Sequence, residues 1–386
     1  MASSRGLVLP GLIATPIVIG AILLARITPD SGRTIAYYVA ADEVVWDYAP
    51  AGRNEIADAA FDDVARPFVE PGPQWTGRLA RKSLYREYTD STFATLKPRP
   101  AEWAHLGFLG PLLRGSVGDT ILVVFRNNTR FPASMHPHGV FYLKDSEGAP
   151  YADGSAPADA RDDAVAPGGT HVYLWPVPER AGPAAGDRSS VFWMYHSHTR
   201  EIGDVNAGLT GPMIVTARGA ARPDGTPKDV DREIVVAFAE VDENQSPYLM
   251  ENIREYATQP DSVRVDTVFG VPGVRRYGQY YFKETLNGFL YGNLPVPSVR
   301  LGERVRWYVM ASTNFEIHAP HWHGNTVELA HMRTDVGALL PMGMQVADMV
   351  ADNPGRWLFH CHVSNHMAMG MQALYEVTGG TPVAAR

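Results

Sequence analysis

The chain has 386 residues, 45% hydrophobic and 20% charged, enough for two ordinary globular domains. A formal net charge of −8 excludes a basic footprint for nucleic acid. A single cysteine excludes an intramolecular disulfide, and 36 Gly with 30 Pro favour an all-β chain rich in turns.

The first feature in chain order is Gly6 to Ala25, twenty residues without charge, flanked by Arg5 and Arg26. Such a stretch just spans a bilayer as a helix. It reads as a membrane anchor, or as a cleaved signal segment, within residues 1–27. Pro10 and Pro16 count against both helical readings, and a buried core element is the third. The first two readings agree that the rest of the chain works outside the cytoplasm, membrane-anchored or secreted. Arg5 and Arg26 are too evenly placed to fix an orientation.

A β-rich block then runs over 33–217, with strand-like runs such as Thr120 to Phe125. A polar linker with Gly, Pro, Asp and Lys covers 218–231, and a second β-rich block covers 232–378. The blocks share landmarks in the same order. Val117-Gly118-Asp119 and Leu301-Gly302-Glu303 each open a strand. His136 to Gly139 and His321 to Gly324 are both His-x-His-Gly, and His196/His198 and His360/His362 are both His-x-His. This order marks an internal duplication. Each unit fits a Greek-key β-sandwich with ligands on loops and strand ends.

Ten of the 13 histidines fall in four clusters: His136 and His138; His196 and His198; His318, His321 and His323; His360, His362 and His366. On a strand, His-x-His puts both rings on one face. The only cysteine, Cys361, sits between His360 and His362, with His366 five residues on and Met371 five beyond that. A thiolate, imidazoles and a distant thioether are the donors of a blue-copper electron-transfer site. The imidazoles flanking Cys361 point the other way and are free for a second metal centre.

These motifs resemble those of the multicopper oxidases: His136-Pro137-His138-Gly139, His196-Ser197-His198, His318-Ala319-Pro320-His321-Trp322-His323, and His360 through Met371. Within that family the chain looks most like the ceruloplasmin and hephaestin branch. Tyr37 to Tyr48, Tyr88 to Phe93, His105 to Pro111, Asp242-Glu243-Asn244 and Leu286-Asn287-Gly288 extend the likeness over about Thr34 to Val377. The resemblance implies two cupredoxin-like Greek-key domains. It implies four coppers per chain: type 1 on His318, Cys361, His366 and Met371; type 2 on His136 and His321; and a type 3 pair on His138, His196, His198, His323, His360 and His362. Ser197 stands where a blue site in the first domain would need cysteine, so that domain should hold none.

The implied chemistry is one-electron oxidation of a small reductant at the blue copper. Electrons then pass through Cys361 to the cluster, where O2 is reduced to water. Asp153-Gly154 matches a family position for a proton-relay acid; an ordinary β-turn is the plainer reading. Motifs one and two lie in the first domain and three and four in the second, so the resemblance implies a head-to-tail homotrimer with intersubunit clusters. Ferroxidases of the branch place acids and a histidine beside the blue copper. Here the matching positions hold Gln279, Glu284 and Asn365, which leaves most of that set missing. Eight of the 13 methionines follow residue 309, and Met342-Gly343-Met344 reads as a loop, so Cu(I) is a further candidate against simple core filling. Laccase-like oxidation of organic reductants and metal-ion oxidation both stand open. A copper carrier and a two-domain nitrite reductase are the rival classes. His105, His171 and His331 read as structural or surface groups, with His331 the one that approaches the blue site if any does.

Overall fold

The structure is a computed structural model, and it describes residues 32–268, 271–313 and 316–379. The apolar stretch at 6–25 lies outside these residues. Among the described residues no helix is long and apolar enough to cross a membrane.

Strands β1 (Thr34–Asp47), β2 (Leu79–Tyr88), β4 (Thr120–Asn127) and β6 (Thr170–Pro176) form one sheet in the order β2-β1-β4-β6. Strands β3 (Leu113–Ser116), β5 (His136–Pro137), β7 (Ser190–His196) and β8 (Thr210–Thr216) form a second, ordered β3-β8-β7-β5. Alternation builds the interior: Ile121, Val123 and Phe125 of β4 are fully buried in the core between the two sheets.

The second sandwich repeats this plan. One sheet runs β12 (Phe282–Leu286), β9 (Arg232–Asp242), β14 (Arg304–Ala311), β18 (Met344–Val350), then β16 (Val327–Leu329) and β17 (Met332–Thr334). The other runs β13 (Ser298–Arg300), β20 (Gln372–Thr378), β19 (Gly355–Cys361), β15 (Pro320–Trp322). A separate hairpin pairs β10 (Val265–Val268) with β11 (Val271–Val274). The duplication extends to strand direction. β1 is parallel to β4 as β9 is to β14, and β3 to β8 as β13 is to β20. It also extends to the turns: Asp119 accepts from Ser116 N at 2.9 Å, and Glu303 accepts from Arg300 N at 2.9 Å.

Strand β9 is apolar on both faces, the mark of a strand covered on both sides. Ile234, Val236 and Phe238 enter the core of the second sandwich. Val235, Ala237, Ala239 and Val241 face the first sandwich and meet Phe192, Met194 and Ile214 of β7 and β8. Full burial of the Val, Ile, Phe and Met side chains here contributes about 1.5–3 kcal/mol each, and of the alanines less. Asn287 locks the seam, accepting from Ala237 N at 2.6 Å and donating to His105 O at 2.6 Å and Val235 O at 2.9 Å. At the edge, Arg114 meets Glu233 at 2.7 Å. The sheet carrying β7 thus packs on the sheet carrying β9. Strands β15 and β19 lie in the opposite sheet of the second sandwich.

Candidate metal centre

Period-two alternation along β19 sends Phe359 and Cys361 into the core, and His360 to the other face. Cys361 Sγ lies 3.9 Å from His318 Nδ1 and 3.6 Å from His366 Nδ1. The short helix Ser364–Ala368 carries His366 back over the strand end. Met371 N then bonds His366 O at 3.0 Å, and Cys361 N bonds Met371 O at 3.1 Å. All four side chains are buried. Ala319 N–H donates to the sulfur at 3.3 Å, which favours thiolate, while burial pushes the thiol up. The donor set is soft and compact, and it fits a copper ion of the blue type.

On the outer face of the same strands, His321 Nδ1 and His323 Nε2 each lie 3.1 Å from His360 Nε2. The His362 ring is 5.0 Å from that of His321. In the first sandwich His138 Nε2 lies 3.1 Å from His196 Nε2, and the His136 ring is 5.2 Å from that of His198. Strand pairing sets both groups in the same way: His136 stands opposite His196, and His321 opposite His360. In each His-x-His-Gly the glycine holds positive φ and lies under an indole. A Cβ would come within 2.2 Å of Trp193 at Gly139 and of Trp357 at Gly324. Burial lowers His318 and His196 to about 3 and His138 and His360 to about 4, and neighbouring imidazoles add to this. The rings are therefore neutral, as metal ligation requires.

The structure brings the eight histidines together as two groups of four. Among the described residues no hydrogen bond or ring contact joins one group to the other. His196 and His360 are buried, but His362 is exposed and the other five are only half-buried. Both groups open to the surface.

Behind the blue set lies a feature that spacing does not show. Glu284 of β12 stands directly opposite Glu240 of β9. Glu240 Oε2 is 3.8 Å from His366 Nε2, and the three side chains gather within 4.8 Å, all buried. Burial raises both carboxyls, and their mutual repulsion raises Glu284 further. Glu284 Oε2 has no hydrogen-bond partner. Like charges opposite one another in a sheet are destabilising unless something is shared between them.

A sequence model described as multicopper oxidase matches residues 88–220, and another of the same description matches residues 263–380. The human ferroxidase HEPHL1 is 43% identical over 349 residues, covering 89% of this chain and 29% of the relative. Human hephaestin is 39% identical (90% and 29%), and human ceruloplasmin 34% (94% and 33%). The chain belongs to the multicopper oxidase family. Within it, the likeness is to the hephaestin and ceruloplasmin branch. The chain spans about a third of the length of these relatives. Solved structures share the fold at lower identity. The multicopper oxidase mgLAC gives a TM-score of 0.55 at 19% identity, over 92% of this chain and 88% of that one. The blue copper oxidase from Nitrosomonas europaea gives 0.54 at 18%, over 90% and 86%.

Other residues fall outside these groups. Asp153 binds Lys144 at 2.7 Å, and that ammonium with Ser155 holds its carboxyl well below the usual range. Lys144 also reaches Glu147, whose carbonyl accepts from His136 Nδ1 at 2.7 Å. Among the described residues, Asp153 is joined to the histidines through Lys144 and Glu147. Gln279 and Asn365 are exposed. His105 bonds Glu102 O, and His171 bonds Asp145 O. His331 lines a surface cleft with Arg188, Glu328 and Asp348. Met342 and Met344 pack against the core between the sandwiches. Two acids escaped the spacing argument besides Glu240: Asp335, 3.7 Å from His321 Nε2, and Glu201, 3.4 Å from His198 Nε2. For Glu240 the available signal was a lone acid within the apolar run of β9.

Proposed function

We propose that this chain is an oxidase subunit of two domains, 33–217 and 232–378 joined by 218–231. It couples one-electron oxidation of a reductant at a type 1 copper to reduction of O2 to water at a three-copper cluster. The observation that carries the reading is the division of labour along β19: a buried thiolate set on one face and an outward histidine set on the other, joined by the Cys361 backbone. Type 1 copper takes His318, Cys361, His366 and Met371. Type 2 takes His136 and His321, and the type 3 pair takes His138, His196, His198, His323, His360 and His362. When bound, copper supplies the one-electron steps and the reduction of O2.

The chain's own residues do the rest. Neutral imidazoles hold the ions, and the core around Cys361 excludes water. His360 Nδ1 lies 2.8 Å from Cys361 O, which ties the ring to the peptide that links the two centres. Asp153 enters as the relay acid, held ionised by Lys144, which also pairs with Glu147 beside His136.

The two histidine groups point outward from sheets that do not face each other within the chain. This supports a head-to-tail homotrimer in which the first domain of one subunit completes the cluster of the next. Beside His318 and its strand partner Leu339, the surface is apolar and open, with Leu340 70% and Ile317 57% exposed. Such residues suit an interface between copies. The protein would act outside the cytoplasm, anchored or secreted.

Among reductants, the Glu240–Glu284 pair favours a metal cation over a phenol. Two buried carboxyls with one unpartnered oxygen sit against the edge of His366, where an electron would enter, and carboxylates suit hard cations. Glu240 makes good the acids absent at Gln279 and Asn365. The test is oxygen uptake by copper-loaded protein with Fe(II), Cu(I) and a phenol in parallel, with copper counted per chain. Four coppers and fastest uptake with Fe(II) are expected. One or two coppers would indicate a carrier or a nitrite reductase, and no uptake with any reductant would overturn the oxidase reading.

A further inference from the structure

The first sandwich lacks a blue site, yet the corner where one would sit is fully organised. Matched through their strand pairings and backbone hydrogen bonds, the places of His318, Cys361, His366 and Met371 are held by Ala133, Ser197, Asp204 and Leu209. Ser197 and Asp204 are the polar side chains among these four, both are buried, and none of the four offers an imidazole or a sulfur.

A hydrogen-bond chain fills the corner. Ser197 Oγ accepts from Ser134 N at 3.1 Å, as Cys361 Sγ accepts from Ala319 N in the second sandwich. The hydroxyl then donates to Asp204 Oδ2 at 2.7 Å. Asp204 is 2% exposed and also accepts from Arg200 N at 3.0 Å and the Arg200 guanidinium at 3.3 Å. A buried carboxylate is tolerable only when its oxygens are met in this way.

The chain reaches the histidines at three points. Ser134 Oγ accepts from His198 N at 3.0 Å and donates to Gly148 O at 2.6 Å. Gly148 N is held by Asp162 at 2.6 Å, and the preceding carbonyl, Glu147 O, is the partner of His136 Nδ1. His196 Nδ1 lies 3.2 Å from Ser197 O. Ser134, Ser197 and Asp204 thus tie the first histidine motif to the second from behind, with Tyr85 OH donating to Ser134 O.

We propose that Ser197 and Asp204 are positioning residues for the copper cluster: a metal-free staple that orders the first sandwich's histidines, as the thiolate site orders those of the second. The inference rests on the oxidase reading above. Ordering before metal arrives matters because a site loose by about an ångström loses affinity and activity.

The test uses copper-loaded, full-length Ser197→Ala, Asp204→Leu and Asp204→Asn. Type 2 electron paramagnetic resonance and type 3 absorption are measured against the blue charge-transfer band from Cys361, the internal reference. Ser197→Ala and Asp204→Leu are expected to lower cluster signals severalfold relative to the blue band. Asp204→Asn, which still accepts from the hydroxyl, keeps most of them. In copper-free protein, the His198 amide should exchange faster in Ser197→Ala. A packing role alone would lower the melting temperature and leave the ratio unchanged. An unchanged ratio in both Ser197→Ala and Asp204→Leu overturns the proposal. If Asp204→Leu does not fold, Ser197→Ala, which removes one hydroxyl, decides. Wild-type protein with a blue band and no cluster signals would overturn the oxidase reading and this inference with it.

Discussion

Where β19 of the second sandwich buries Cys361 beside His318 and His366, the residue that follows β7 of the first, Ser197, is buried against Asp204. The surrounding frame is the same: a parallel strand pair in each sheet, a histidine opposite a histidine, a glycine under an indole. The same frame thus carries outward histidines with either corner behind them, a thiol with imidazoles or a hydrogen-bonded hydroxyl and carboxylate. The comparison also shows why the two copies are not interchangeable. The second has an inward thiol beside two imidazoles where the first has a hydroxyl, while each presents four imidazoles outward.

The largest effect falls on this difference. Cys361→Ser is expected to abolish the blue band and reduce oxygen uptake to background, while Ser197→Cys creates no second blue band, because Ala133, Asp204 and Leu209 supply no imidazole or thioether. Absorption spectra of the two variants check this, and a blue band in the Cys361→Ser, Ser197→Cys double variant would break the comparison. Next comes the acid pair, found only behind the second corner. Glu240→Gln should raise KM for Fe(II) about tenfold, equivalent to ~1.4 kcal/mol, with KM for a phenol little changed. Steady-state kinetics with both reductants separate the outcomes.

A smaller effect concerns the buried lysine one residue before Glu284, on the opposite face of β12. Lys283 Nζ donates to Phe68 O at 2.8 Å and Tyr280 O at 2.9 Å, and burial pulls the amine from 10.5 down to about 7. Between those values the unfolded chain holds a proton that the folded chain lacks, so stability rises with pH across that window and levels off above it. Lys283→Met should flatten this rise, as measured by urea midpoints at several pH values. A slope matching wild type would place the ammonium charge in the folded state. The smallest effect is that of His331→Ala, expected to leave copper content and the blue band unchanged, since His331 lies in a surface cleft. Loss of either would bring it into the account.

The histidine groups were legible because strand alternation is local. Reading His360, Cys361 and His362 as out, in, out needs only period two. Strand β9 was legible in principle as well, since an apolar run on both faces announces two partners. What the sequence could not show are pairings across strands distant along the chain. Glu240 and Glu284 meet only through the antiparallel register of β9 and β12. Ser197 finds Asp204 only once the helix Glu201–Ala207 folds back. Met342 and Met344, read as a loop pair open to Cu(I), are absorbed by packing between the sandwiches. Spacing along the chain shows Gln279 and Asn365 as gaps in the acid set beside the blue site but does not show Glu240, which lies across the sheet from Glu284.

The proposal that each cluster is completed by two chains is tested most directly by complementation. His138→Ala disables the first-domain half and His323→Ala the second-domain half, so each variant alone should lack type 3 absorption and oxygen uptake. Mixed under conditions that allow subunit exchange, about one interface in four should pair an intact first domain with an intact second domain, from a half chance of each. Type 3 absorption and oxygen uptake are then expected to return to about that fraction of wild type. If the mixture stays as inactive as its components while subunit exchange is shown to occur, the cluster lies within one chain and the account is wrong.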